Sequence, residues 1–345
     1  MEIGLFFQLP VWPEQRADDR YEETLRQIEL ADRLGFQVAW LAELHFEANY
    51  GVMPSPFLVA AAATQRTQRI GIGTAVSLLP LHDPLRLAEE TAMLDQLSRG
   101  RLRLGVGRGS IPQHYAGFGR ALDERQSRFE ESLEIVRRAW GPEPFSFTGA
   151  HFSYENVNVV PKPLQQPHPP LLMAANSDES VETAIALDIP VMMSTLTATP
   201  DQISARSRRY RSARPNAPAG DIALMAPVHV AESNELAERD AEASHLSYYR
   251  EVARVIRAGL TGNPDGSTRR VPLAERFGSI TFEESITSDS AVGDPDRVVE
   301  RLTALHDCHG FGHLMAWFAF GGRIPHERVL ASMRLFADEV APRLP

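Results

Sequence analysis

Eight strand-length apolar runs, separated by helical stretches, leave this chain very few folds to choose from. The runs lie near residues 2–7, 37–42, 69–76, 102–107, 170–174, 190–193, 222–230 and 312–318. Such alternation reads as a parallel sheet with its helices outside, because parallel neighbours need a crossover connection between them. Eight repeats suffice to close the sheet, so the expected fold class is α/β, a (β/α)8 TIM barrel with insertion segments. The first helix shows the local logic: Tyr21, Leu25, Ile28 and Leu34 keep a 3.6-residue period, and Gly35 stops it where a positive φ is wanted. A length of 345 residues suits about two average domains, yet barrels with insertions reach this size as one, so a single domain over 1–345 is expected.

Two segments interrupt the alternation. Residues 141–169 carry six prolines and alternating apolar positions, which predicts a structural hairpin-like insertion between the fourth helix and the fifth strand. Residues 259–293 are rich in Gly, Ser, Thr and Asp, with weak helical periodicity until the Val-Gly-Asp-Pro that opens a helix at Pro295. A connection this long is usually functional or disordered, and a mobile lid is the expectation here.

Composition narrows the function. With 43% hydrophobic residues the chain can fill a large core, and no apolar run approaches the ~18 residues that would span a bilayer. No secretory signal is read before the first strand, so a cytoplasmic location without membrane attachment is expected. Thirty-five basic against 45 acidic residues give a net charge of −10, and the only basic cluster, 207–214, reads as the last turns of a solvated helix. Nucleic acid is therefore not an expected partner. The single cysteine, Cys308, excludes an intrachain disulfide and a cysteine-rich metal site, and no metal is expected.

The strand ends carry the chemistry. Val38 to Ala42 form an apolar run that meets Glu43 and His45 where it stops, and the strand LRLGVG runs directly into Arg108. A parallel barrel buries its strands along their length and displays reactive groups at their carboxyl ends. Four pieces, ELHF at 43–46, GTAV at 73–76, LDQLSRGRL at 94–102 and VGDP at 292–295, together with EIGLFF near the start and ASMRLFADEVAP near the end, resemble in order and spacing the bacterial luciferase family of flavin-dependent monooxygenases. The resemblance covers nearly the whole chain. It implies a barrel of the luciferase type that receives FMN as FMNH2 from a separate flavin reductase. With O2 as co-substrate, such an enzyme inserts one oxygen atom into a small organic molecule through a flavin peroxide adduct. It also implies a homodimer. An F420-dependent oxidoreductase on the same fold, or a non-catalytic partner subunit of a luciferase-like heterodimer, are the alternatives.

Site residues follow partly from the residues and partly from the resemblance. The run LLMAA leads into NSDESVETAIA, a helix start whose free amides and dipole suit an anion, with Asn176 beside it. The resemblance assigns Ser177 and Ser180 to the flavin phosphate, although capping by Asn176 or Ser177 with Glu179 completing a capping box explains the same residues. Arg108 suits a phosphate as a guanidinium at the open face. Arg128 resembles the family's second phosphate arginine, with Arg125 as the alternative. Gly105, Gly107 and Gly109 do not make a dinucleotide fingerprint, since Ser110 occupies the sixth position. They are read instead as making room for a flavin ring, with Ser110 nearby. The resemblance places a cis peptide between Ala75 and Val76 beneath the flavin. At the family's catalytic histidine stands Leu44, which cannot accept a proton, so His45 and Glu43 are the catalytic candidates. Phe6, Leu44, Met192, Met193, Trp317, Phe318 and Phe320 are candidates for an apolar cavity at the strand ends.

Overall fold

The computed structural model describes residues 1–260, 267–288 and 290–345. Eight parallel strands form the ring: β1 (Glu2–Phe7), β2 (Val38–Leu41), β3 (Gly71–Thr74), β4 (Leu102–Gly107), β5 (Leu171–Ala174), β6 (Val191–Ser194), β7 (Ile222–Val230) and β8 (His313–Trp317). Each pairs with its sequence neighbour, and β8 pairs with β1 through Glu2 opposite His313, which closes the barrel. All eight expected strands are present. Helices cover the outside, beginning with Ala17–Leu34, which ends at Gly35 with φ 86° as its periodicity predicts.

Side chains alternate strictly between ring interior and helix layer. Ile3, Leu5, Ala39, Leu41, Ile72, Leu104 and Met173 face the helices in one large core. Phe6, Val38, Trp40, Met192, Met225, Met315 and Trp317 fill the interior in a second. Fully buried Trp40 occupies the ring because β3 offers no side chain at Gly73, where a Cβ would sit 2.4 Å from the indole. Trp40 Nε1 donates to His313 Nε2 (3.1 Å), and His313 Nδ1 lies 3.3 Å from Glu2, which also takes Arg103. This chain of polar contacts plugs the N-terminal end of the barrel. Burial would raise the Glu2 carboxyl, but bonds and charge from His313 and Arg103 outweigh it and bring it to about 2.

The 141–169 insertion contains the expected hairpin, with Phe145–Thr148 antiparallel to Ser153–Val157. The weak helical periodicity read in 259–293 does not hold for its described part: Ser267–Ser279 and Phe282–Ser288 are helices, and Ala291–Gly293 pairs with the end of β7. Pro272 inside the first helix and its polar start hid the pattern, yet Ala274 and Phe277 are buried, Phe277 against Tyr249 at 5.2 Å. The lid expectation also falls on residues 261–266 and 289, which lie outside the described residues. Asn234–Leu260 precedes these helices, and its Tyr248, Tyr249 and Val252 join the interior core with Trp317 and Phe320. No helix among the described residues is long and apolar enough to cross a membrane.

The ring interior leaves no spare volume beside Trp40, so Gly73→Ala is expected to destabilise by about 1–3 kcal/mol through overpacking. The urea midpoint of the variant, compared at equal slope with the parent, checks it.

Candidate active site

Directly after β2, the Glu43 carboxylate is buried between two histidines and the start of the next strand unit. Its Oε1 lies 3.0 Å from His45 Nε2, and both oxygens lie 2.9 Å from His82 Nε2. Oε2 accepts from Leu78 N at 3.0 Å and Ser77 Oγ at 3.2 Å. Burial alone would raise this carboxyl, but the hydrogen bonds from both histidines, the charge on His82 and the Leu78 amide prevail and bring it to about 2. His82 moves the other way. Burial works against its charge, yet the Glu43 carboxylate bonded to it raises its pKa above the usual histidine value. His82 is not among the candidates read from the sequence; its neighbour Asp83 caps Pro84–Ser98 by accepting from Arg86 N. The available signal was a histidine at the end of the strand-three unit, where a barrel places reactive groups.

The Ala75–Val76 peptide is cis, as the resemblance implies, and leads straight into Ser77 and Leu78. Their short strand pairs with Val106 and Gly107 of β4. Here one expectation needs correction. Gly105 and Gly107 do not leave room for a ligand: a Cβ at Gly105 would lie 2.0 Å from Thr74 O, and one at Gly107 would lie 2.5 Å from Val76 Cγ2. These glycines admit the neighbouring chain itself. Gly109 differs, with φ 70° in the turn before exposed Ser110.

A second cluster forms at the ends of β4 and β5. Ser177 caps helix Asp178–Ala186, and Ser180 completes a reciprocal capping box, with Ser180 N donating to Ser177 Oγ (3.2 Å) and Ser177 N to Ser180 Oγ (3.0 Å). Glu179, expected to complete that box, instead holds Arg108 Nη1 at 2.9 Å, and Gln126 takes the same nitrogen. Asn176 does not cap. Its Oδ1 accepts from Ser194 N (3.0 Å) and ties β5 to β6. The structure thus brings Arg108, Ser177 and Ser180 to one helix start. Arg128 is held by Glu124 at 2.7 Å, two residues along the helix Arg125–Ala139 from Gln126 and so on a different face of it. Burial raises the Tyr115 hydroxyl to about 12 against the opposing charges of Arg125 and Arg108, and that hydroxyl donates to the Arg108 carbonyl, so Arg125 also stands near this end of β4.

Of the cavity candidates, Phe6, Met192, Trp317 and Phe320 line the barrel interior. Met193 and Phe318 do not, since both face the helix layer, Phe318 against Phe336 at 5.2 Å. Leu44 is buried over Gly51, where a Cβ would lie 2.4 Å from Leu44 Cδ1.

Residues 1–310 match the family description of luciferase-like monooxygenases. The chain belongs to that family. Among relatives of this luciferase-like protein, the oxygenase component of a flavin-dependent trigonelline monooxygenase from Acinetobacter baylyi is 27% identical over 361 residues, spanning 99% of this chain and 95% of its own. An uncharacterized protein of Sinorhizobium fredii is 42% identical over 165 residues, and the chain spans only about half of it, 48%. The crystal structure of a monooxygenase from Streptomyces bottropensis superposes with a TM-score of 0.85 at 30% identity over 99% of both chains.

The opposed shifts of Glu43 and His82 predict how the luciferase-like barrel responds to pH. A depressed carboxyl stabilises the fold above its ordinary range near 4.5 and loses that contribution as pH falls toward 2. A raised histidine stabilises fully below 6.5 and loses its contribution as pH rises through its folded value. Glu43→Gln should remove both dependences and cost about 3–5 kcal/mol, the range for breaking a buried pair. Urea midpoints across the pH range, with the His82 imidazole titrated by NMR, give the comparison.

Proposed function

We propose that this chain is the oxygenase component of a two-component, FMN-dependent monooxygenase acting on a small organic molecule. The observation that carries the reading is the Arg108 cluster. A guanidinium 11% exposed already holds an anion, the Glu179 carboxylate, at a helix start with two serine hydroxyls. That donor set fits a phosphate, which is held best by charge-assisted bonds and helix amides. Glu179 is 63% exposed and can turn outward when a stronger anion arrives. Arg108, Ser177 and Ser180 would hold the phosphate, with Arg128 or Arg125 as a second cation and Asn176 fixing the loop beneath. Ala75 and Val76 would lie under the ring system, and Ser110 beside it.

Bound reduced FMN, supplied by a separate flavin reductase, would provide the two electrons with which one atom of dioxygen enters the substrate and the other leaves as water. The remaining work belongs to the protein. Glu43 stays ionised at working pH and serves as an anchor rather than an acid. With His45 Nε2 bound to Glu43, Nδ1 is the ring nitrogen left over, and we assign it proton acceptance in place of Leu44. Tyr248, Tyr249, Phe277 and Phe320 exclude water from the barrel mouth. The helices Ser267–Ser279 and Phe282–Ser288 act as a cover, and the chain works as one barrel domain. A homodimer through Leu58, Met93 and Leu97, exposed on the packed helices Pro56–Arg66 and Pro84–Ser98, and a cytoplasmic location complete the proposal.

Two measurements test it. Arg108→Ala is expected to weaken FMN binding at least about tenfold, from the loss of a charged hydrogen bond worth ~1.5–3 kcal/mol, and Ser177→Ala to weaken it less. Equal FMN affinity in a fluorescence titration of both variants would remove the phosphate assignment. Photoreduced FMN with isotopically labelled dioxygen should place the label in product. Hydride transfer with reduced F420 in the absence of oxygen, and no label with FMN, would favour the F420 alternative.

A further inference from the structure

Phe46 breaks two rules at once. It follows buried His45 at the end of β2, yet it is 61% exposed, and its φ is 66°. The left-handed region is an outlier for a bulky side chain and persists only where the surroundings enforce it, often at functional positions. Here they do so by omission: Gly117 has no Cβ, and one would stand 2.2 Å from Phe46 Cε2. The helix after β4 thus receives the ring as a socket.

The ring is not alone. Phe118, 44% exposed, lies 5.3 Å from Phe46 and 4.8 Å edge-on from the His45 ring. His114 closes the back of the group, 5.3 Å from His45, and receives the His45 amide on Nε2. Burial first, then the charge of His45, lowers its pKa to about 4, so it is a neutral aromatic ring near neutral pH. The adjacent Glu47 is paired with Arg254. An uncharged aromatic shelf therefore continues outward from the buried His45–Glu43 pair. It stabilises little in the fold, because its two phenylalanines leave much of their area in water.

We infer that Phe46 and Phe118 form the docking shelf for a flat, uncharged aromatic ring of the substrate, and that Phe46 sets the preference for aromatic over saturated skeletons. This rests on the reading of the barrel mouth as the oxygenase site. Aromatic pairs favour offset and edge-to-face contacts by about 0.5–1.5 kcal/mol beyond area burial, a preference of roughly twofold to tenfold for each ring. A saturated ring of similar size forgoes it.

Calorimetric titration of the full chain, with and without oxidised FMN, tests this with β-naphthol and its fully saturated counterpart β-decalol. The parent protein should bind the naphthol about tenfold more tightly. Phe46→Ala should reduce that preference about fivefold to tenfold, and Gly117→Ala should do the same without touching Phe46, because it unseats the ring. FMN affinity should be unchanged in both, and Phe46→Gly should melt no lower than the parent, since it relieves the strained φ. Equal affinity for the two alcohols, a preference insensitive to Phe46→Ala, or a marked fall in melting temperature for Phe46→Gly would overturn the inference. Failure of the parent chain to bind FMN would instead overturn the cofactor reading, which the naphthol titration reads separately.

Discussion

The loops after β2 and β3 at the open end of this barrel are arranged around one buried carboxylate. Glu43 carries a full negative charge with no exposure of its side chain, and each partner that makes this tolerable comes from a different place along the chain. His45 comes from its own loop, Ser77 and Leu78 from the turn after the cis peptide, and His82 from the start of a helix. An unpaired charge there would cost several kcal/mol, so the loops after β2 and β3 are held in register by electrostatics rather than apolar contact. At the opposite end Glu2 performs the same function with His313, Trp40 and Arg103. The apolar interior is thus bracketed by two anchored anions.

This bracket explains why the family's chemistry can change without loss of fold. Leu44 is packed over Gly51 and takes no part in the network around Glu43. The side chain at this position can therefore change while its neighbours keep their geometry. The Arg108 cluster is equally independent, since Arg108 is positioned by Glu179 and Gln126, and the serines by each other. Separate sets of bonds hold separate tasks.

The fold was legible because parallel strands buried on both faces appear as plain apolar runs, and helices between them end at readable caps such as Gly35 and Asp83. The same property hid the phase of each strand. The run Val191–Met193 is apolar throughout, so nothing in it says that Met192 points into the ring and Met193 away. Glycines were ambiguous for a related reason: a missing side chain looks the same whether the vacated space receives a ligand or a neighbour in the chain, the Thr74 carbonyl at Gly105 and the Val76 side chain at Gly107. His82 stayed hidden because its partner lies 39 residues away. The helices after residue 266 were obscured by a proline and by having few buried positions to mark a face.

The end of β7 has a consequence for how such proteins diversify. Val228–Val230 run past the ring and pair with Ala291–Gly293, so the chain between them leaves and returns about 4.8 Å apart. A stretch clasped at its base keeps its ends in place whatever the length of the turns between them. Doubling its length adds only about 0.6 kcal/mol of closure entropy. Insertions and deletions in the turns of this excursion can therefore accumulate at little cost to the ring, whereas the helix faces that carry Tyr248, Tyr249 and Phe277 are fixed by their packing on Trp317 and Phe320.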